Sequence, residues 1–360
     1  MLRKISLAAS ASMLLLAASA QDSTKTLTIS GNADAYFRHN FGSGTNNFTS
    51  FTNSQSSFEV GMASLRADAT ALNGKVGATV DLGFGRRAEE FSYNDGEDGV
   101  GKNGFISLSN VKQAYLTYAP SSKVKFTMGK FATHVGYELL DAPLNRNYSM
   151  SYMFTNGPFF HTGLKADITA GPVGFMLGVA NFTDQSTATT SVKTVLAQFS
   201  GSAAEGSFKY YLNYVGFGGS ETGSNPSDLK SLNQIDLVLL GTISSKFNIG
   251  YNGTIQNRKQ VDGSSDPSGS WMGNAVYLNF DPTEKTGITL RSELITDKKD
   301  VYFGTNIFAN TLSFNLKAGP LTIIPELRHE SSKDPILFED KDGNPSKSTF
   351  SALLAAVFKF

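Results

Sequence analysis

The sequence predicts an all-β fold: a transmembrane antiparallel β-barrel of about sixteen strands, with a long third outer loop folded into its lumen. Three observations carry that reading. Segments of ~10 residues alternate apolar and polar side chains. The connections between them alternate in length, short then long. No stretch after the first twenty residues approaches the ~18 consecutive apolar residues of a membrane helix.

The alternation is clearest in four segments. Leu27, Ile29, Ala35 and Phe37 share one face of the first, with Asn32, Asp34 and Arg38 on the other. In segment 59–71, Ala63, Leu65, Ala67 and Ala69 oppose Ser64, Arg66 and Asp68. In 75–85, Val76, Ala78, Val80, Leu82 and Phe84 oppose Lys75, Thr79 and Asp81. Near the C-terminus Leu312, Phe314, Leu316 and Ala318 oppose Ser313, Asn315 and Lys317.

Short turns rich in Gly, Pro, Asn and Ser fall at Asn73-Gly74, Pro120 to Lys123, Gly171-Pro172, Ala203 to Gly206, Ser244 to Lys246, Asp281 to Lys285 and Gly319-Pro320. Long polar connections lie between them at 39–58, 86–108, 131–157, 183–191, 217–231, 257–269, 297–307 and 332–346. Seven short turns and eight long loops imply sixteen strands, with both ends of the wall on the short-turn side. A soluble sandwich has no reason to sort its connections by length. An outer-membrane barrel does so, with short periplasmic turns and long outer loops.

Met1 to Ala20 reads as a secretory signal: Arg3 and Lys4, an apolar stretch to Ala17, then Ala18-Ser19-Ala20 before Gln21. Its removal takes two of the 31 basic residues and none of the 31 acidic ones, leaving a formal charge of −2. That balance excludes a basic nucleic-acid face. The chain has no Cys, so a hydrogen-bonded framework must hold the exported protein together without disulfides. Hydrophobic content is 40% and mean hydropathy −0.17, the average of a chain whose strands alternate. No composition shift divides residues 21–360, which read as one barrel domain in the bacterial outer membrane.

With the apolar face toward lipid, mid-strand charges should point inward, because Arg or Lys at mid-membrane costs ~2–4 kcal/mol. Opposite charges recur two residues apart, on one strand face: Arg66 with Asp68, Lys165 with Asp167, Arg291 with Glu293, and Glu326 with Arg328. With Asp34, Arg38 and Asp81 they form the expected polar lining of the wall. The connection 131–157 is far longer than a usual loop and rich in Tyr and Phe, so its apolar surface needs a surface to pack on. Folded inward, it would present Tyr137, Glu138, Asp141, Arg146 and Tyr148 as a constriction. Glu138 and Asp141 would then face wall arginines across a field that orders polar solutes by size and dipole. The dyads could instead merely satisfy one another along a wide polar wall.

The last segment, Thr349 to Phe360, puts Phe350, Ala352, Leu354, Ala356, Phe358 and Phe360 on one face and ends in an aromatic residue. It resembles the C-terminal signature that the barrel-assembly machinery of bacterial outer membranes reads. Trp271, Tyr36, Phe37, Tyr118, Phe159, Phe182 and Phe280 suit aromatic girdles at the lipid interfaces. The small-residue face of the second strand, Ala63, Ala67 and Ala69, is a candidate contact for a homotrimer.

Other functions fit less well. The four histidines, His39, His134, His161 and His329, belong to no nucleophile elbow and no His-Glu-x-x-His pair, and their spacing is not that of a zinc site. No cofactor motif occurs, and the chain reads as a non-enzyme. Asp340-Lys341-Asp342-Gly343-Asn344 lacks the closing acid of a calcium loop and reads as a solvated turn, as does the cluster from Asp95 to Gly104. A siderophore-type receptor would need a larger barrel and a plug before its first strand. A non-conducting adhesin or structural barrel keeps the fold and closes the pore, and an outer-membrane barrel enzyme is a more distant alternative.

The central stretch carries a family resemblance. Gly129-Lys130-Phe131, Gly136-Tyr137-Glu138, Asn145, Tyr148-Ser149, Ser151-Tyr152, Gly157-Pro158 and His161-Thr162-Gly163 are similar to motifs of the OmpL-like β-barrel porins, typical of Bacteroidetes and relatives. Gly31, Asp34, Ala35 and Tyr36, and then Gln113-Ala114-Tyr115, resemble that family's other short motifs. Asn181-Phe182-Thr183 departs from it where an Asn-Gly-Trp-like run is expected. The resemblance implies a porin: a passive, water-filled channel for small polar solutes and ions, without cofactor or reaction.

Overall fold

A computed structural model describes residues 25–95, 108–188, 191–219, 228–297 and 299–360. Residues 1–20, expected to be a secretory signal, and most of the Asp95 to Gly104 cluster lie outside the described residues. Sixteen antiparallel strands close into one barrel. They are β1 (Thr26–Asn40), β2 (Ser57–Ala71), β3 (Val76–Phe84), β4 (Val111–Ser121), β5 (Val124–Ala132), β6 (Phe160–Ala170), β7 (Val173–Ala180) and β8 (Thr194–Ala203). The circuit continues through β9 (Phe208–Gly218), β10 (Leu229–Thr242), β11 (Phe247–Gln260), β12 (Gly269–Thr283), β13 (Thr286–Thr296), β14 (Ile307–Ala318), β15 (Leu321–Ser332) and β16 (Ser348–Lys359). Every predicted short turn and long loop joins the strands it was expected to join.

Closure pairs β1 with β16, in the register Ala35 opposite Ala356 and Asn32 opposite Lys359. Gly31 and Phe360 exchange both backbone hydrogen bonds at 3.0 Å. The Phe360 ring lies over Gly31, where a Cβ would meet it at 2.5 Å. The terminal aromatic therefore covers a glycine on the lipid face of the seam. The outward face is the predicted one: Ile29, Leu65, Leu116, Met128, Leu177 and Leu354 are all exposed.

Two bulges adjust the inward face. Between β1 and β2, Asp34 pairs with Met62 and Ala35 with Val60, leaving Gly61 as the extra residue. A Cβ there would collide with the Asp34 carboxylate and the Tyr148 hydroxyl, so this bulge admits the third loop to the wall. Between β3 and β4, Asp81 pairs with Gln113 and Leu82 with Val111, which turns Lys112 into the lumen.

Four of the expected girdle aromatics face inward instead. Trp271 (2% exposed) packs among Tyr152, Ile295 and Ile307, and Tyr36 lies against Tyr148. Phe159 and Phe182 are buried in loops. Strand parity is the reason for Trp271, since its neighbour Met272 takes the lipid side. Tyr118 and Phe280 do face outward.

The seam makes a direct prediction. In refolded protein, Gly31→Val should lower the temperature at which the barrel unfolds in detergent, by an overpacking cost of about 1–3 kcal/mol. Adding Phe360→Ala should restore part of the loss, as read by heat-dependent gel mobility. Equal stability of Gly31→Val and wild type would refute this packing.

Candidate functional site

The third outer loop, residues 133–159, leaves β5 and folds inside the barrel. Only two short elements form in it: a 3₁₀ turn, Ala142–Leu144, and a single helical turn, α2 (Tyr152–Thr155). The Ser151 hydroxyl caps α2 by accepting from Phe154 N at 3.0 Å. The rest of the loop backbone has no ladder or helix to satisfy its N–H and C=O groups. Side chains of the wall and of a neighbouring loop supply the partners.

Carboxylates and amides take the N–H groups. Glu326 accepts from Tyr148 N (2.8 Å) and Ser149 N (3.2 Å), and Glu293 from Tyr152 N (2.9 Å). Asp236 accepts from Gly136 N and Asn252 from Tyr137 N. Guanidinium groups take the carbonyls. Arg291 donates to the Ser149 and Met150 carbonyls at 2.7 and 3.1 Å, and Arg328 to Met150 at 2.8 Å. Arg87, on the short helix α1 (Arg86–Phe91) of the second outer loop, donates to the Leu140 and Tyr148 carbonyls and lies over the rings of Phe51 and Tyr148. Arg38 does the same for the first outer loop, at Thr45 and Asn46.

The five expected constriction residues are drawn into this seat. Glu138 meets Arg291 directly at 2.6 Å and accepts from Ser151 N, so it is buried. Asp141 meets Lys112 at 2.5 Å and Asn32 at 3.0 Å. Arg146 grips Asp281 with two bonds of 2.8 and 3.0 Å and donates to Thr289. Tyr137 stacks on Tyr277 with ring centroids 3.9 Å apart. The Tyr148 hydroxyl donates to Asp34 at 2.5 Å. The expected open field between Glu138 and the wall arginines is thus replaced by contact. An ionised carboxylate aimed at a guanidinium inside a crowded lumen closes the gap rather than holding it.

The wall divides into two arcs. Asp34, Arg38, Asp81, Arg291, Glu293, Glu326 and Arg328 are all at most 4% exposed and lie beneath the loops. Glu326 and Arg328 do not pair as a dyad. Glu326 serves the loop N–H groups, whereas Arg328 pairs with Glu330 (2.9 Å) and Glu293 (3.5 Å). On the second arc Arg66–Asp68 (2.6 Å) and Lys165–Asp167 (3.3 Å) do form the predicted dyads, and about a third of each Arg66 and Asp68 side chain is exposed. Asp68, Thr79, Gln113, Tyr115, Lys125 and Lys165 line a lumen cavity of about 310 Å³ there. Leu139, Asn145, Arg146, Gln198 and Tyr211 line another of about 430 Å³ beside the loop.

Several groups in the seat give no motif signal in sequence. Arg87, Lys112, Asp236 and Glu330 are lone charges whose parity or bulge position alone directs them inward. Lys130, within Gly129-Lys130-Phe131, pairs with Asp95 at 2.8 Å over the Phe160 ring. Asp184 accepts from Phe159 N (2.7 Å) and Phe160 N (3.0 Å) and ties down the far end of the third loop. In the Asp340 turn the carboxylate accepts from Asp342 N and Asn344 N, which is a self-contained turn. Among the described residues no group of three or more His, Cys, Asp or Glu is placed to hold a metal ion.

A closed barrel with an apolar exterior and a polar, loop-occupied lumen defines an outer-membrane channel of the porin class. The family described as "Putative beta-barrel porin-2, OmpL-like" matches residues 26–360, and the chain belongs to it. No curated protein sequence matches the chain. Solved structures share its fold at 13% identity. The outer membrane channel DcaP of Acinetobacter baumannii superimposes with a TM-score of 0.64, over 94% of this chain and 99% of that one. The anion-selective porin from Comamonas acidovorans gives 0.61, over 93% and 100%. The trimer form of OmpT, an outer membrane protein of Vibrio cholerae, gives 0.59, over 94% and 100%. The protein is an outer-membrane porin, its wall in the bacterial outer membrane.

Two predictions follow from the seat. Glu138→Gln leaves Arg291 with one buried charge partner fewer, and Arg291→Met strands Glu138. Breaking a buried pair from one side costs about 3–5 kcal/mol. Each variant should admit protease to 133–159 while the barrel stays folded, and the double variant should be less cleaved than Arg291→Met alone. Unchanged cleavage would refute the staple.

The second concerns pH. Burial holds the His134 ring down to about 4 from 6.5, although its Nε2 lies 3.1 and 3.2 Å from the Tyr214 and Ala197 carbonyls. Its contribution to loop docking is full above 6.5 and is lost as pH falls through about 4. Burial pushes the Asp184 carboxyl up to about 7 from 3.8, so its contribution is full below 3.8 and is lost as pH rises through 7. Between pH 7 and 5, hydrogen exchange corrected for intrinsic rate should therefore speed up near residue 135 and slow down near residue 159. His134→Asn and Asp184→Asn should each abolish the trend at their own end.

Proposed function

We propose that this porin passes small polar solutes and ions by passive diffusion, without catalysis, and that the loop 133–159 narrows its lumen. The observation that carries this is the division of the wall. One arc is consumed in holding the loop, and the other keeps its charge pairs Arg66–Asp68 and Lys165–Asp167 in contact with solvent. Tyr137, Glu138, Asp141, Arg146 and Tyr148 then act as the staples that set the width of the constriction. The solvated pairs, with Arg146–Asp281, are the lining that a solute meets. The resemblance of the last strand to an assembly signature supports recognition of Phe360 by the barrel-assembly machinery, and residues 1–20 suit a cleaved export signal. The small outward face of Ala63, Ala67 and Ala69 on β2, continued by Ala33 of β1 and Ala78 of β3, suits packing of three barrels within the lipid.

A second reading, a barrel closed by its loop, has one observation in its favour. Val135 of the loop packs with Phe131, Met176, Leu196 and Val215 of the wall into an apolar cluster between the two lumen cavities.

Single-channel recording of the refolded mature chain in planar bilayers decides between the readings. Stepwise conductance is expected, and Arg87→Ala, which frees two loop carbonyls, should raise the unit conductance or its noise. A folded barrel that never conducts would replace the channel by the closed barrel.

A further inference from the structure

The periplasmic rim carries a feature that the constriction does not use. At four of the seven short turns, the residue before the returning strand is lysine: Lys75, Lys123, Lys246 and Lys285. Each is tied into the sheet ladder by its carbonyl, which accepts from Ala119, Thr169, Asp281 and Lys317 N respectively, at 2.7–2.8 Å. Strand alternation therefore extends to these positions, and it assigns all four to the lumen side. Val80, Phe126, Ile249 and Leu294 show which parity faces lipid in the strands that follow.

Four more lysines join them at the same end. Lys125 and Lys209 fall on the inward parity, opposite the exposed Phe126 and Phe208. Lys125 also lines the lumen cavity beside Lys165. Lys317 and Lys359 line a cavity of about 310 Å³ directly beneath the third loop, together with Arg146 and Asn315. All eight are solvent-exposed.

The carboxylates at this end do not cancel them. Asp68 is taken by Arg66, Asp281 by Arg146, and Asp167 by Lys165 at 3.3 Å, with Lys125 further off at 3.9 Å. Glu205 and Glu284, in two of the turns, are the remaining acids of the rim among the described residues. The excess in side-chain charge is thus six on a ring that every permeating solute crosses. At 0.1 M salt the screening length is ~10 Å, so neighbouring members of such a ring reinforce one another. Rings of like charge at a pore mouth set ion preference.

We infer that this lysine collar makes the channel selective for anionic solutes, small carboxylates and phosphates included, and that selection occurs at the periplasmic mouth. The inference rests on the channel reading above. It assigns charge preference to residues other than those that set the width.

The test is the reversal potential of the refolded mature chain in a planar bilayer under a KCl gradient. Wild type should prefer chloride by about threefold or more at low salt, with the preference fading in molar salt as screening grows. Lys285→Glu, Lys317→Glu and Lys359→Glu combined should bring the ratio to unity or below, and the same three changes to Gln should fall between. Lys333→Glu and Lys341→Glu, on the outer loop 333–347, should leave it unchanged. A conducting wild type without anion preference, or one whose preference survives the triple Glu variant, overturns the collar and leaves the channel standing. A folded wild type that never conducts overturns both.

Discussion

The interaction on which the lumen depends is the hydrogen bond between wall charges and loop backbone. A loop that leaves the water and enters a barrel brings in peptide groups that no ladder satisfies, and each buried unpaired group costs about 1–3 kcal/mol. Helix or sheet would satisfy them locally, but the third loop has only a 3₁₀ turn and one turn of helix. Its needs are met from outside by groups of opposite kind. Glu326, Glu293, Asp236 and Asn252 receive N–H groups, while Arg87, Arg291 and Arg328 reach carbonyls. Charge-assisted bonds of this sort are stronger than neutral ones, and one guanidinium can serve two carbonyls at once. The same logic at Arg38 holds the first outer loop.

That chemistry explains why the inner wall is charged where it is also dry. A buried guanidinium or carboxylate is costly unless both its charge and its hydrogen bonds are met. Arg291 has Glu138 and Glu293 for charge, and Ser149, Met150 and Thr311 for hydrogen bonds. Loop and wall are therefore mutually dependent. The bulges belong to the same arrangement, because Gly61 makes room for Tyr148 against Asp34, and the extra residue Lys112 reaches Asp141.

The barrel was legible in the sequence because it follows from periodicity. Period-2 alternation and connection length are local properties, and they specify strand number, direction and lipid face together. The inward folding of the third loop was legible from its length and its aromatics. Two things were not. Trp271 and Tyr36 read as girdle residues because residue type says nothing of which side of a strand is taken, although the neighbours Met272 and Phe37 did carry that information. The partners of Glu138 and Glu326 were hidden for a different reason. A carboxylate that bonds a loop N–H more than 170 residues away, as Glu326 does with Tyr148, leaves no spacing to recognise.

The division of labour inside the lumen has a physical rationale. Charges that hold a loop must be desolvated and paired, and a paired, desolvated charge projects little field into the water beside it. Charges that attract a solute must be exposed and unmatched. One set of residues cannot do both well. Here the two demands fall on different levels of the barrel. The paired groups lie beneath the loop, where Arg291 and Glu293 are at most 1% exposed, and the exposed lysines lie at the turns. A loop can then set the width of the passage without fixing the sign of its potential, and the rim can set the sign without contributing to the fold.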